Sequence, residues 1–125
     1  MTNLTALQAT FIKDDVYIRL NNLNSHLIKI QSLSQDSVND DLVKILIRET
    51  MYFIEWIAPD VEFDYAFELA NLGRFLTRWL FKWEQIWNDK EARNQVNQEL
   101  GNWNDRVLQI SQLTVNTIAK TLKPY

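Results

Sequence analysis

Residues 65–87 read YAFELANLGRFLTRWLFKWEQIW, and this stretch decides the fold. Its large apolar residues recur at alternating spacings of four and three, the period of one helix face, which excludes a strand. We therefore predict a helix of about 28 residues, roughly 42 Å long, capped by Asp60 and ending near Trp87. Its predicted core face consists of Tyr65, Leu69, Leu72, Leu76, Trp79, Trp83 and Ile86.

The two other faces of this helix differ from each other. One flank begins with small residues and becomes bulky later: Ala66, Ala70, Gly73, Thr77, Leu80 and Trp87. Because an interior glycine costs a helix about 1 kcal/mol relative to alanine, we predict that a neighbouring backbone approaches closely at Gly73. The opposite flank carries Arg74, Arg78 and Lys82, here called the basic ridge.

Composition bounds the fold class and excludes several kinds of site. The chain has 125 residues, two glycines and two prolines, which favours one domain (residues 1–125) of long helices. It has no cysteine, which excludes disulfides, thiolate zinc sites and thioether-linked haem or pigments. The net charge of −3 argues against nonspecific nucleic-acid binding. No signal peptide or membrane span is recognisable, so a cytoplasmic protein is expected.

Helical periodicity also covers the chain before residue 65. Thr5 to Gln8 fits a capping box, and apolar residues follow at helical spacing from Val16 to Ile30. This pattern predicts either one helix over about 5–33 or a short helix leading into one that starts near Asp14. A second helix is predicted to start at a cap formed by Asn39 or Ser37 and to end at Ala58, before Pro59. Its expected apolar face is Leu42, Ile45 or Leu46, Phe53 and Trp56.

A further helix is predicted after Asn88-Asp89, and it completes the architecture. Residues 111–125 either extend it or form a short fifth helix. Short turns force consecutive helices to pack antiparallel. We therefore predict an all-α, antiparallel, up-and-down four-helix bundle, either alone or with a short fifth C-terminal helix. The apolar face of the last long helix is Ala92, Val96, Leu100, Trp103, Val107 and Ile110.

The residue types needed for several chemistries are missing. Di-metal bundles use Glu-x-x-His pairs that point inward from one helix face, and glutamate does not precede the only histidine, His26, by three. The two glycines do not form a phosphate-binding loop. We predict no metal site and no cofactor.

His26 is the only candidate general base or phosphoacceptor. The sequence His26-Leu27-Ile28-Lys29 resembles the His-x-x-Lys core of histidine phosphotransfer domains, which are also small helical bundles. The resemblance implies that His26 accepts a phosphoryl group and that Lys29 assists it. The family usually has a small residue where this chain has Ile30.

Arg19 and His26, seven residues apart on one predicted helix face, give a second resemblance. Their spacing resembles the Arg-x(4–6)-His signature of HEPN-type ribonucleases, which are all-helical. That family carries the motif late in the domain, whereas here it lies early. An ordinary surface histidine remains the alternative to both resemblances.

The basic ridge and the tryptophans permit two binding hypotheses. Arginine or lysine interleaved with Trp79 and Trp83 could bind single-stranded nucleic acid or an anionic surface. The aromatic cluster could instead line a cavity for a flat ligand such as a pigment or haem. Against both, an aromatic stripe at helical spacing is typical of a core.

FIKDDVYIRLNNL (residues 11–23) and FIEWIAPDVE (residues 53–62) resemble segments of small uncharacterised helical proteins of cyanobacteria. The resemblance covers most of the chain and implies a helical fold, but it carries over no functional residues.

The sequence thus favours a non-catalytic interaction or scaffolding protein that forms a homodimer. The residues 65–87 carry more large apolar surface than one four-helix core needs, and aromatics dominate interface hot spots. The predicted interface residues are Trp79, Phe81, Trp83 and Trp87. Phosphotransfer through His26 and anionic-surface binding through the basic ridge are the alternatives.

Overall fold

The computed structural model describes residues 3–122, and in that range every regular element is helical. The prediction of an all-α protein is confirmed. The α-helices are α1 (Leu4–Phe11), α2 (Val16–Leu33), α3 (Asp40–Ile57), α4 (Phe63–Phe81), α5 (Trp83–Trp87) and α6 (Lys90–Leu122). Single 3₁₀ turns, Ser37–Asn39 and Ala58–Asp60, precede and follow α3.

The four long helices pack as a ring in the order α2, α3, α4, α6, with α6 closing back onto α2. Side-chain contacts fix the directions of α2 and α3. Arg19 bonds to Asp60 and to the Trp56 carbonyl, whereas His26, farther along α2, meets Glu49, which is earlier in α3. Residue numbers rise in one helix as they fall in the other, so the two helices are antiparallel.

The α2–α6 pair is also antiparallel, and polar side chains fix its register. Asn24 donates to the carbonyl of Asn104, and Gln31 donates to the carbonyl of Asn97. Partly buried amides that bond to a specific backbone group favour one register over others, because a shift of one helix along the other leaves these amides without their partners.

The core follows the predicted seams of α2 and of the central helix. Trp79 is 1% exposed. Tyr65 and Ile86, at the two ends of the central seam, are only partly buried. The fully covered aliphatic side chains of these two helices are Leu20, Leu23, Leu27, Ile30, Leu69, Leu72 and Leu76.

The N-terminal segment forms two helices, so of the two predicted arrangements the short helix followed by a longer one is confirmed. The side chain of Asp15 accepts a hydrogen bond from the Ile18 amide and caps α2. The capping box at Thr5 is wrong. Helix α1 begins one residue earlier, at Leu4, because the Asn3 side chain accepts from the Ala6 amide.

The buried face of α3 is rotated from the predicted one, although Leu46 and Phe53 are buried as predicted. Leu42 and Ile45 are 46% and 38% exposed, whereas Val43 and Ile47 are fully buried. Thr50 lies on this buried face because its hydroxyl donates to the Leu46 carbonyl one turn earlier, which satisfies the polar group.

The single long helix predicted for residues 60–87 is wrong at both ends. Asp60 does not cap it; Glu62 precedes α4, and Asp60 instead pairs with Arg19. The helix also breaks at Lys82, whose φ of −101° and ψ of 25° are not helical. Residues 83–87 continue as the separate short helix α5.

Helix α6 runs through Leu122, so the described chain extends the last predicted helix and has no separate fifth helix at residues 111–122. Residues 123–125 lie outside the described range. None of the described helices combines the length and apolar character required to cross a bilayer.

Candidate functional site

The tryptophans of the central segment form a stack inside the protein. Trp79, Trp83 and Trp87, here called the tryptophan stack, have ring centroids 5.6 Å and 4.8 Å apart. They are 1%, 4% and 2% exposed, so they are core residues and cannot be the interface aromatics predicted from the sequence. The short centroid distances leave no space for a flat ligand between the rings.

Polar contacts with the start of α3 hold this stack and account for the break at Lys82. The indole N–H of Trp83 donates to Asp40 over 2.9 Å, and that of Trp87 donates to the Ser37 carbonyl over 2.9 Å. A straight helix would carry these indoles along the axis of α4. With the break at Lys82, the indole of Trp83 reaches Asp40, the first residue of α3, and that of Trp87 reaches Ser37 in the 3₁₀ turn before α3.

The fourth predicted interface aromatic, Phe81, is placed differently. Its side chain is 88% exposed, although it lies two residues from buried Trp79 and Trp83. It stands at one end of an open groove between α3 and α4, here called the α3–α4 groove, with a volume of about 800 Å³. The groove is lined by Arg48, Met51, Tyr52, Ile54 and Glu55 of α3 and by Ala70, Gly73, Arg74, Thr77, Arg78, Leu80 and Phe81 of α4.

The small residues of α4 leave this groove open. The predicted close backbone approach at Gly73 is wrong, because a Cβ built there would meet no atom of another element within 4 Å. Ala70 and Thr77 lie one turn to either side and are exposed. The small-residue flank therefore makes a trough beside α3 instead of a helix contact.

The floor of the groove is apolar, and its rim is cationic. Ile54 is 6% exposed and belongs to the core, and Met51 and Leu80 pack against that core. The rim carries Arg48, Arg74 and Arg78 against a single carboxylate, Glu55. The groove thus concentrates positive charge on a chain whose net charge is −3.

The cations beside the groove have no carboxylate partner within the described part of the chain. Among its ion pairs, none involves Arg48, Arg74, Arg78 or Lys82. Arg74 donates to the side-chain oxygen of Asn71, a neutral group on its own helix. The predicted basic ridge is therefore exposed and not neutralised, and Arg48 of α3 adds to it across the groove.

A second, smaller groove of about 450 Å³ continues past Phe81. It shares Arg48, Leu80 and Phe81 with the first and extends to Lys82 and Glu84. Phe81 therefore stands between two adjoining concave surfaces.

His26 is not positioned as the phosphotransfer hypothesis requires. Its Nε2 lies 3.1 Å from a Glu49 carboxylate oxygen, and the side chain is 18% exposed. The edge of its ring packs on Phe53 at a centroid distance of 4.6 Å. Lys29 is exposed and lies outside these contacts. Engagement of Nε2 with a carboxylate disfavours phosphoryl transfer, because an incoming phosphate would meet a like charge there.

Arg19, the other residue of the predicted ribonuclease pair, has a structural role. It is 7% exposed, and its guanidinium donates to the carbonyls of Asp14 and Trp56 and to the Asp60 carboxylate. Two turns of α2 separate it from His26, whose partner Glu49 lies seven residues before Trp56 in α3. The structure therefore does not bring Arg19 and His26 into one site.

A salt bridge joins α4 to α6 away from the groove. Arg106 donates to both carboxylate oxygens of Glu68, each over 2.6 Å. The hydrogen bond from Arg106 holds the pKa of Glu68 below its usual value, against the opposing effect of burial. No three His, Cys, Asp or Glu side chains cluster as metal ligands in the described range.

Sequence reasoning found the α4 half of the site and missed the α3 half. The residues it missed are Arg48, Met51, Tyr52 and Glu55. Their spacing of three or four places them on one helix face. A cation, an aromatic residue and an acid beside the buried face of α3 were the sequence signal that could have indicated a binding surface. Comparisons with protein-family models, curated proteins and solved structures gave no match to this chain.

Proposed function

We propose that this protein is a non-catalytic interaction module that binds a helix of a partner protein in the α3–α4 groove. The observation that carries the proposal is the open apolar groove ending at Phe81, a residue that is 88% exposed. Burying a phenylalanine side chain contributes about 1.5–3 kcal/mol, so a partner that covers Phe81 gains substantial free energy.

The shape of the groove favours a helix as the occupant. Two neighbouring antiparallel helices form its walls, and residues at helical spacing line both of them. An amphipathic helix laid in such a trough places side chains at i, i+3, i+4 and i+7 onto the apolar floor. The polar lining side chains do not pair a nucleophile with a base, which supports binding as the role of this surface.

The experiment is a titration of the full chain with a short amphipathic peptide of leucine, alanine and glutamine, followed by amide chemical shifts. We expect shifts concentrated at Met51, Gly73, Thr77 and Phe81. Gly73→Trp fills the groove and is expected to abolish them. Gln112→Trp, at an exposed position of α6 outside the groove, is the matched control. Shifts elsewhere, or binding that survives Gly73→Trp, would contradict the proposal.

Self-association remains part of the proposal, although it can no longer rest on the tryptophans. The exposed aromatics of α4 are Phe63, Phe67 and Phe81, at 82%, 55% and 88% exposure. A homodimer through this face predicts a mass twice the 14.9 kDa of one chain. Sedimentation at micromolar concentration of the wild type and of Phe67→Ser/Phe81→Ser checks it, because a purely monomeric wild type excludes the dimer.

A second candidate is the binding of an anionic surface by the basic ridge, because Arg74, Arg78 and Lys82 are exposed and have no carboxylate partner in the described chain. Base stacking is less well supported, since Trp79 and Trp83 are buried. A cytoplasmic location and a function without a cofactor complete the proposal.

A further inference from the structure

We propose that the occupant of the α3–α4 groove is an acidic amphipathic helix, about three turns long, whose carboxylates pair with Arg48, Arg74 and Arg78. This inference rests on the proposed function and names the partner's chemistry. It comes from the juxtaposition of an apolar floor with three arginines on the rim that have no carboxylate partner in the described chain.

The length of the occupant follows from the α4 wall. The groove lining runs from Ala70 to Phe81 on one helix. At a rise of 1.5 Å per residue this wall is about 17 Å long, which accommodates roughly 11 residues of a bound helix. The occupant is therefore a short linear helix rather than a whole domain face.

The charge of the occupant follows from the rim. Three of its four charged residues are arginines, and the fourth is Glu55. A guanidinium binds a carboxylate through two parallel hydrogen bonds, which gives geometry as well as charge attraction. Arg74 and Arg78 lie one helical turn apart, so acidic residues one turn apart on a partner helix can meet both.

The apolar face of the bound helix is inferred from the apolar floor of the α3–α4 groove and from Phe81. Leu80 and Met51 are partly buried, and Phe81 is exposed beside them. A helix with leucine or methionine on one face and glutamate on its edges satisfies both halves of the groove. A nucleic-acid backbone would meet the arginines but would leave the apolar floor uncovered. A flat membrane surface would not enter a trough between two helices.

A second copy of this chain fits the groove less well. From Arg106 to Leu122, α6 presents exposed apolar residues, among them Leu113 and Ile118, but it contains no aspartate or glutamate. Lys120 would instead add a positive charge near the arginines. Charge complementarity therefore favours an acidic partner over this part of α6.

The test uses three helical peptides that share one leucine-alanine face and carry glutamate, glutamine or lysine on the polar face. Each is titrated into the full chain by calorimetry at about 0.05 M and about 0.5 M salt, which changes the screening of exposed charges. We expect the acidic peptide to bind about tenfold tighter than the neutral one at low salt, the basic peptide to bind weakest, and the difference to shrink at high salt.

Variants of the rim arginines test whether these residues cause the preference for the acidic peptide. Arg74→Gln/Arg78→Gln leaves only Arg48 on the rim and should reduce the preference for the acidic peptide, while the affinity for the neutral peptide stays unchanged. Lys29→Gln/Lys90→Gln, an equal change in charge at exposed positions outside the groove, should preserve the preference. Circular dichroism of each variant establishes that it folds.

The possible outcomes separate the two proposals. Equal binding of all three peptides, or a preference that loss of both arginines does not reduce, overturns the acidic-helix inference and leaves the groove as a helix-binding site. Failure of every peptide to bind, or binding that Gly73→Trp does not affect, overturns the proposed function itself. Competition by anionic vesicles or single-stranded DNA at lower concentration than the acidic peptide overturns the acidic-helix inference in favour of the anionic-surface role.

Discussion

Nη1 of Arg19 in α2 lies 2.9 Å from a carboxylate oxygen of Asp60, in the turn that joins α3 to α4. The same nitrogen donates to the carbonyl of Trp56, and Nε donates to the carbonyl of Asp14. One buried guanidinium therefore ties the start of α2 to the end of α3. The turn between α3 and α4, at one end of the bundle, is therefore held in place by Arg19, a side chain of α2.

We expect Arg19→Met to destabilise the protein by about 1–3 kcal/mol, because it leaves two partly buried carbonyls without their donor. Asp60→Asn should cost less than about 1 kcal/mol, since the Asp60 side chain is 54% exposed and water screens that pair. Urea unfolding of the two variants measures both values. Equal losses would mean that the ion pair, rather than the carbonyl bonds, dominates the contribution of Arg19.

Trp83 and Phe81 are two residues apart in the sequence but differ in exposure, so substitutions at the two positions can be compared directly. Trp83→Ala removes a ring that is 4% exposed and should destabilise the fold by about 3–5 kcal/mol. Phe81→Ala should change stability by no more than about 0.5 kcal/mol. It should nevertheless weaken peptide binding in the α3–α4 groove. Thermal unfolding and peptide titration check the pair; a large stability loss from Phe81→Ala would show that its ring supports the fold.

The Glu68–Arg106 pair gives a pH dependence of defined sign. The hydrogen bond from Arg106 lowers the pKa of Glu68 in the folded state relative to the unfolded state. Its stabilisation is therefore fully present above the unfolded-state pKa and is lost as pH falls through the folded-state pKa. Because about a third of each side chain is exposed, the effect should stay below about 1 kcal/mol.

Glu68→Gln isolates this contribution. Wild type should be more stable than the variant at neutral pH, and the difference should shrink as pH falls below the ordinary range of glutamate. Urea midpoints measured from pH 7 down to about pH 3 follow this difference. A constant difference over the whole range would contradict the assignment, because it would not reflect titration of Glu68.

The two glycines should respond differently to alanine. At Gly73 the added Cβ meets no other element within 4 Å, so Gly73→Ala should stabilise α4 by about 0.5–1 kcal/mol through helix propensity. At Gly101 the Cβ lies 3.1 Å from Gln31 Nε2, which donates to the Asn97 carbonyl. Gly101→Ala should therefore gain less or destabilise. Chemical denaturation compares the two, and equal gains would show that Gln31 moves freely.

The sequence predicts those parts of the fold that depend on the local period. The seams of α2 and of α4, which need only repeated apolar spacing, are buried as predicted, with Leu20 and Leu72 fully covered. The buried face of α3 was less predictable. Its apolar residues occupy several adjacent positions, and Thr50 counts as polar in the pattern although it bonds to Leu46 and lies in the core.

The break at Lys82 has no local signal, because neither glycine nor proline lies there. It reflects partners 43 and 50 residues away in the sequence, Asp40 for Trp83 and Ser37 for Trp87. The open space beside Gly73 also depends on a part of the chain that is distant in the sequence. A flank of small residues fits either a closely packed helix or an empty trough, and only the position of α3 distinguishes the two.

The tryptophan stack also gives the protein an intrinsic aromatic circular-dichroism signal that reports on its conformation. Indoles whose centroids lie 5.6 Å and 4.8 Å apart couple electronically, so their combined circular dichroism depends on the angles between the rings. One of the rings belongs to α4 and the other two to α5, with the break at Lys82 between them. A ligand that tilts α5 should therefore change the aromatic dichroism while the far-ultraviolet helix signal stays constant.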